Sequence, residues 1–325
     1  MTAFLLRRLL QSAVVLLAMS MLVFAGVYLV GNPVDILISP DATQAERART
    51  VAALGLDRPV WIQYGKFLHD ALHGDLGRSF VHAQPAFGLI VERMPATLEL
   101  AVAAMLIAVG LGIPLGLWSG LRPNSLSGRA IVTGSILGFS LPTFWVGLMM
   151  IMLFSVQLGW LPSNGRGATV DVFGVPLSIF SLDGWKHLAL PAFNLALFKL
   201  ALVVRLTRAG ALEALSQDYV RFARAKGLSP ARIVGVHVLR NILVPIVTVI
   251  GLEFGGLIAF SIVTETVFAW PGMGKLIIDS INLLDRPVIV AYLLIVVTMF
   301  VLINLVVDLL YSWLDPRVRV GGDAA

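Results

Sequence analysis

The chain of 325 residues is 58% hydrophobic and only 13% charged, against roughly 45–50% and about 25% in soluble domains. That balance excludes an ordinary water-soluble core and makes lipid the solvent. The lack of cysteine excludes disulfides, thiolate metal sites and cysteine nucleophiles, and the net charge of +5 sits in cations at the ends of apolar runs, the pattern of membrane topology and not of nucleic-acid binding.

Six apolar runs reach the roughly 20 residues that about 30 Å of hydrocarbon requires. They cover residues 9–30, 96–121, 130–158, 187–206, 241–264 and 288–307. The first follows Arg7-Arg8 and is longer than the roughly 7–15 apolar residues of a signal-peptide core, with no clear Ala-x-Ala site after it. It therefore reads as a retained anchor within a cytoplasmic N-terminus plus first span, residues 1–30.

Residues 31–95 form the one sizeable non-membrane region. Within it, Trp61-Ile-Gln-Tyr64, Phe67-Leu68 and Ala71-Leu72 predict an amphipathic helix opened by Pro59 and closed near Gly74. His69 and His73 stand i,i+4 with Asp70 and Asp75 nearby. Two histidines without a strong third ligand read as a solvated face, so no metal site is assigned.

Residues 96–311 carry the remaining five spans. Small residues recur four apart at Gly112/Gly116/Gly120, Gly134/Gly138 and Gly251/Gly255, which predicts close helix packing. Pro114, Pro142, Pro191 and Pro245 should kink the spans or mark their ends. Lys199 and Glu253 interrupt spans four and five near their middles. Intramembrane charges are costly and face an interior or a water-filled path. They can pair between neighbouring helices, or they can line a translocation pathway, for which Glu265 is a third candidate.

Between spans four and five, within residues 208–240, lies a basic elbow, Asp218-Tyr-Val-Arg-Phe-Ala-Arg-Ala-Lys-Gly-Leu-Ser-Pro230. Asp218 is suited to capping a short helix. Tyr219, Phe222 and Ala223 predict its apolar stripe, with Arg221, Arg224 and Lys226 polar. Gly227 stands where a helix ends in a left-handed residue, and Ser229-Pro230 supplies an N-cap and a first-turn proline. A short helix rigidly tied to two spans is a lever.

Cation counts orient the chain. With the N-terminus inside, the inner segments hold Arg7, Arg8, Arg122, Arg129, Arg208, Arg221, Arg224, Lys226, Arg232, Arg240, Arg317 and Arg319. The two short outer loops hold only Arg166, Lys186, Lys275 and Arg286. This bias predicts cytoplasmic termini, a cytoplasmic elbow and a cytoplasmic tail at 312–325. No G-x-x-x-x-G-K-[ST] nucleotide loop and no G-x-S-x-G elbow occur, and the five histidines (69, 73, 82, 187 and 237) are scattered. No catalytic residue is assigned.

The elbow and a series of further segments carry a resemblance. Ala223-Arg-Ala-Lys-Gly227, with Asn241 and Pro245 downstream, resembles the EAA loop of ABC-transporter permeases in its peptide-transporter form. Arg7-Arg8-Leu-Leu, Leu54-Gly-Leu-Asp-Arg-Pro59, Gly74-Asp-Leu-Gly-Arg-Ser79, Pro95-Ala-Thr-Leu-Glu-Leu100, Leu141-Pro142, Arg205-Leu-Thr-Arg208 and Asp218-Tyr-Val-Arg221 extend the match. So do Thr264-Glu-Thr-Val-Phe268, Trp270-Pro-Gly-Met-Gly274, Val307-Asp-Leu-Leu-Tyr311 and Leu314-Asp-Pro-Arg317.

The whole is similar to the first of the two permease subunits of dipeptide/oligopeptide/nickel importers. The resemblance implies an all-α membrane protein with six transmembrane helices, the type I importer permease fold and a large outer loop between helices 1 and 2. It implies a non-enzymatic transport subunit of the bacterial inner membrane. Its partners would be a second permease, two ATP-binding subunits that hold ATP and magnesium, an extracytoplasmic solute-binding protein and membrane lipid, with no cofactor on this chain. Asp218, Tyr219, Arg221, Ala223, Arg224, Ala225, Lys226, Gly227 and Leu228 would form the coupling element, although the Glu that opens the general EAA pattern is Arg221 here. The competing reading is a proton-coupled secondary transporter using Glu253, for which inverted repeats are expected and none is convincing.

Overall fold

The computed structural model describes residues 2–29, 43–54 and 57–314. In chain order the helices are α1 (Thr2–Leu29), α2 (Gln44–Leu54), α3 (Val60–Leu72), α4 (Ala86–Leu121), α5 (Leu126–Ser140) and α6 (Thr143–Met150), which continues as a π-helical stretch over Ile151–Gln157. A two-stranded antiparallel hairpin follows, β1 (Val170–Val172) and β2 (Val175–Leu177). Then come α7 (Leu182–Ser216), α8 (Asp218–Ala225), a turn at Pro230–Arg232, a second π-helical stretch (Ile233–Val238), α9 (Leu239–Val267), α10 (Met273–Asn282) and α11 (Arg286–Leu314). The predicted tail from Asp315, with Arg317 and Arg319, lies outside the described residues, as do most of the first part of the outer loop and Gly55-Leu56 of one quoted segment.

Among the described residues, five helices are long and apolar enough to cross a membrane: Leu6–Gly26, Ala86–Leu121, Leu182–Ser216, Pro245–Val267 and Arg286–Leu309. The predicted third span, 130–158, is not a straight rod. It is the pair α5 and α6, bent by 104° at Leu141-Pro142. The cause is local: a proline forces the preceding residue out of the α region, and Leu141 is extended at φ −83°, ψ 138°. Pro114, Pro191 and Pro245, by contrast, lie inside continuous helices.

The chain divides into two compact units. The first comprises residues 1–92 with 276–301, and the second 93–275 with 302–325. In the first, α3 opens at Pro59 as expected, and Gly74 takes φ +80° just beyond its end. It packs on α1 through Tyr64 and Phe67, whose rings lie 5.3 and 5.5 Å from that of Phe24. The Tyr64 hydroxyl meets Ser20 Oγ at 2.7 Å. His69 and His73 are exposed and stacked at 4.3 Å. No group of three or more potential metal ligands occurs among the described residues. The loop before α4 is fastened by Asp285, which accepts from the Ser79 hydroxyl and from the backbone N–H groups of Phe80 (3.0 Å) and Val81 (3.4 Å).

In the second unit α4 and α7 approach closely. A Cβ added at Gly112, Gly116 or Gly120 would strike Val203, Thr207 or Ala211 respectively, so two rows spaced four apart interlock. Gly251 gives the same clearance to Val307. Gly134 and Gly138 do not follow the expectation, since among the described residues no other element comes within 4 Å of where their Cβ would stand.

Candidate functional site: the elbow, the ion pair and the buried carboxylates

The elbow is built by local chemistry at both ends of α8. Gln217 breaks from α7 with extended backbone (φ −73°, ψ 151°), and eight residues of helix follow. At the far end Gly227 adopts φ +73°. Its N–H donates to the Arg224 carbonyl (2.9 Å), and the N–H of Leu228 donates to the Ala223 carbonyl (3.2 Å). That pair of bonds is a Schellman ending, which a residue with a Cβ adopts only under strain. Ser229 then accepts from the N–H of Arg232 at 3.4 Å, with Pro230 in the first turn.

One face of α8 is locked down. Val220 and Ala223 are buried with Ala211 and Ala214 at the end of α7 and with Ile233, Val238, Ile242 and Ile246 beyond the turn, and Leu228 packs against the same cluster. The predicted stripe is thus shifted by one residue. Val220 joins Ala223 inside, whereas Tyr219 and Phe222 stand outside at 38% and 62% exposure. Nor does Asp218 cap the helix; Gln217 holds that position, and Asp218 instead pairs loosely with Arg221 at 3.4 Å in open solvent.

The other face presents Tyr219, Arg221, Phe222, Arg224, Ala225 and Lys226. Lys226 Nζ sits 4.6 Å from the Phe222 ring centroid, a cation–π contact. Aromatic and guanidinium groups on a rigid base are the composition of protein-interface anchors.

Lys199 on α7 and Glu253 on α9 form an ion pair, Nζ to Oε2. The lysine side chain is 7% exposed and the glutamate 38%. The cation is therefore enclosed, and the carboxylate faces outward from the pair.

Glu265, the third pathway candidate, is fully buried. Its Oε1 accepts from Thr97 Oγ1 (2.8 Å) and Ser261 Oγ (2.9 Å), and its Oε2 from the N–H of Lys275 (3.0 Å). Thr97 Oγ1 in turn accepts from the N–H of Met273 (2.8 Å), and Trp270 Nε1 donates to the Ala96 carbonyl (2.8 Å). Gly272 and Gly274 are required here, because a Cβ on either would collide with Glu265. Nearby, Glu99 Oε2 receives Arg166 Nη2 at 2.6 Å, and its Oε1 receives the N–H of Ile179 at 2.8 Å. Arg166 also donates to the Pro176 carbonyl (2.7 Å), which fastens the hairpin. The Glu99–Arg166, Thr97–Glu265 and Thr97–Met273 partners lie 67, 168 and 176 residues apart, and no periodicity announces them.

A profile of the family "Binding-protein-dependent transport system inner membrane component" matches residues 112–320, and the corresponding N-terminal family matches residues 1–101. The chain belongs to this permease family. The dipeptide transport system permease protein DppB of Escherichia coli (strain K12) is 42% identical over 336 residues, covering 98% of this chain and 99% of that protein. The di/tripeptide transport system permease protein DppB of Pseudomonas aeruginosa (strain UCBPP-PA14) is 41% identical, with 98% and 99% covered. The oligopeptide transport system permease protein AppB of Bacillus subtilis (strain 168) is 39% identical, with 98% and 100% covered. Among solved structures, the MetNI methionine ABC transporter in inward-facing conformations aligns at a TM-score of 0.55 and 18% identity. It covers 71% of this chain and 98% of that one, a likeness of fold. The chain is thus a multi-pass inner-membrane transport component of the permease fold.

Proposed function

We propose that this permease carries short peptides inward, that α8 is the element gripped by an ATP-binding subunit, and that Glu253 with Lys199 behind it faces the translocation path. The observation that carries the reading is the asymmetry of α8. One face is buried between α7 and α9, and the other offers exposed aromatics and cations. A force applied to Phe222, Arg221 or Arg224 is transmitted to two transmembrane helices through Val220 and Ala223, without a flexible joint.

The peptide cargo rests on the relatives, whose names specify dipeptide, di/tripeptide and oligopeptide transport. ATP hydrolysis is assigned to partner subunits, because the chain has no phosphate-binding loop. The remaining partners in this reading are a second permease and an extracytoplasmic solute-binding protein, with residues 31–95 a candidate docking scaffold. The excess of cations on the inner segments supports cytoplasmic termini and a cytoplasmic elbow.

A carboxylate cannot face hydrocarbon cheaply, so the exposed side of Glu253 points toward water or protein. Glu265 is wholly enclosed and acts from within the wall, setting its shape. The test is uptake of labelled dipeptide into proteoliposomes containing the co-purified complex. ATP-dependent, vanadate-sensitive uptake with two ATP-binding subunits present is the expected result. Uptake that follows a proton gradient and ignores vanadate would overturn it.

A further inference from the structure

Arg205 is a charge that neither the elbow nor the ion pair absorbs. It stands on α7 between Val203 and Thr207, the residues that Gly112 and Gly116 of α4 approach. α4 runs on to Leu121, so Arg205 lies about 10 Å along the helix axis from the end of α4, at about 1.5 Å per residue. Arg122 follows that end and marks the membrane edge. A guanidinium at such a depth faces a protein interior or a water-filled path.

The residue is exposed on this chain, and among the described residues no ion pair or hydrogen bond holds it. Its Cζ lies 5.8 Å from the ring centroid of Phe139. α5 starts just beyond the end of α4, and Phe139 sits at its other end, beside the Leu141-Pro142 break. The guanidinium therefore reaches away from the membrane edge, the reverse of an arginine that snorkels to lipid headgroups.

A continuous strip joins Arg205 to the Lys199–Glu253 pair. Phe198, Leu202 and Arg205 stand at i, i+4 and i+7 on one face of α7. The Phe198 ring packs on Phe139 at 4.6 Å and its centroid lies 5.3 Å from Lys199 Nζ. Both rings are exposed, and Glu253 keeps an open side. The strip thus runs from a carboxylate over two aromatic rings to a guanidinium. Lys199 to Arg205 is about 9 Å of helix, close to the roughly 10 Å of an extended tripeptide.

Building on the assignment of Glu253 to the translocation path, we propose that Arg205 is a specificity residue. It receives the C-terminal carboxylate of a di- or tripeptide whose ammonium end meets Glu253 and whose side chains lie on Phe198 and Phe139. An arginine fork takes a carboxylate bidentately. The rings between accept side chains of many kinds by contact alone, so the strip reads the two termini that all short peptides share.

The experiment uses the full transporter complex in nanodiscs, without nucleotide or solute-binding protein, so that cargo selection elsewhere does not enter. A tripeptide with a diazirine on its middle side chain is photolysed, and the labelled residues are read by mass spectrometry. Label is expected at Phe139, Phe198 or Leu202. Unlabelled trialanine should compete at least about tenfold better than its C-terminal amide or its N-acetyl form, because each loses a charge-assisted bond. R205Q should erase the discrimination against the amide alone, and R205K, which keeps the charge, should retain most of it. Glu253→Gln combined with Lys199→Met should erase the discrimination against the N-acetyl form alone. Label absent from all three positions would overturn the proposal, as would an amide that competes as well as trialanine in the wild type or is still rejected by R205Q. So would a diazirine phospholipid that labels Phe139 where the peptide does not, which would make Arg205 a lipid contact. Uptake is measured separately: vanadate-sensitive uptake with an unlabelled strip removes the role of Arg205 alone, whereas uptake that ignores vanadate strikes the transport reading itself.

Discussion

Two helix ends in the second unit are closed by the same hydrogen-bonding pattern and then diverge. At the end of α8, Gly227 takes the left-handed position at φ +73°, and the helix it closes shows an aromatic, cationic face to solvent. At the end of α9 the same position is held by Ala269 at φ +45°, with the N–H of Trp270 donating to the Glu265 carbonyl at 2.8 Å. There the surrounding side chains are buried, and the Glu265 carboxylate is saturated by donors from three segments. The first end is inexpensive in backbone strain and open to a partner. The second tolerates a strained residue because its neighbours over-determine it. On the proposed reading, the end to be gripped and the end that stays still differ in where their polar groups go.

The comparison breaks most violently at Glu265. Replacing it by alanine removes the acceptor of the Thr97 hydroxyl and the Lys275 N–H in a buried space, while Ser261 keeps its bond to the Ile258 carbonyl, at a cost of about 3 kcal/mol. Thermal unfolding of the purified complex should show a large loss of stability, or no folded complex should be recovered. By contrast Phe222→Ala, on the open face of α8, should leave unfolding within about 0.5 kcal/mol of wild type and still depress uptake.

The ion pair comes next. Glu253→Gln leaves the enclosed Lys199 without its counter-charge, and a loss of about 2 kcal/mol is expected. Combining it with Lys199→Met should restore most of that stability. If the restored double variant also transports normally, the pair is structural and Glu253 is not needed on the path.

The strained end of α9 supplies a change of opposite sign. Ala269→Gly should raise stability by about 1 kcal/mol, because the left-handed conformation no longer opposes a Cβ. A smaller, pH-dependent effect belongs to α2, where the Thr43 N–H (2.9 Å) and hydroxyl (3.0 Å) both donate to Glu46 Oε2. The backbone donor and then the hydroxyl hold this carboxyl below its ordinary range. Its folded value is depressed, so its contribution is present above the unfolded value and is lost as pH falls through the folded one. Amide exchange at the start of α2 should speed up on acidification, while that of α8 should not.

What was legible in the chain was local. Gly227, Ser229-Pro230 and the Pro59-to-Gly74 helix carry their geometry in their own residue types. The six apolar runs followed from length, and the break at Leu141-Pro142 from proline, though not its angle. The phase of α8 is not set by its own sequence, because eight residues give little over two turns. Tyr219 and Phe222 are larger than Val220, but only the position of α7 decides which face is inside. The Thr97–Glu265 and Glu99–Arg166 contacts join residues far apart in sequence, and the hairpin over Val170–Leu177 rests on the Arg166 contact to Pro176. Single positions say nothing about such partners until the spans are packed.

The lever role proposed for α8 turns on Gly227. A valine there meets no neighbour, since no atom lies within 4 Å of the added Cβ, but its φ of +73° is one that a β-branched residue resists. Peptide import and ATP hydrolysis should be measured together in proteoliposomes holding the Gly227→Val complex at wild-type abundance. The account predicts import reduced by at least about tenfold, with the ion pair and buried carboxylates undisturbed and any remaining hydrolysis no longer matched to uptake. Import at the wild-type rate, with hydrolysis still matched to it, would contradict the reading of α8 as the lever.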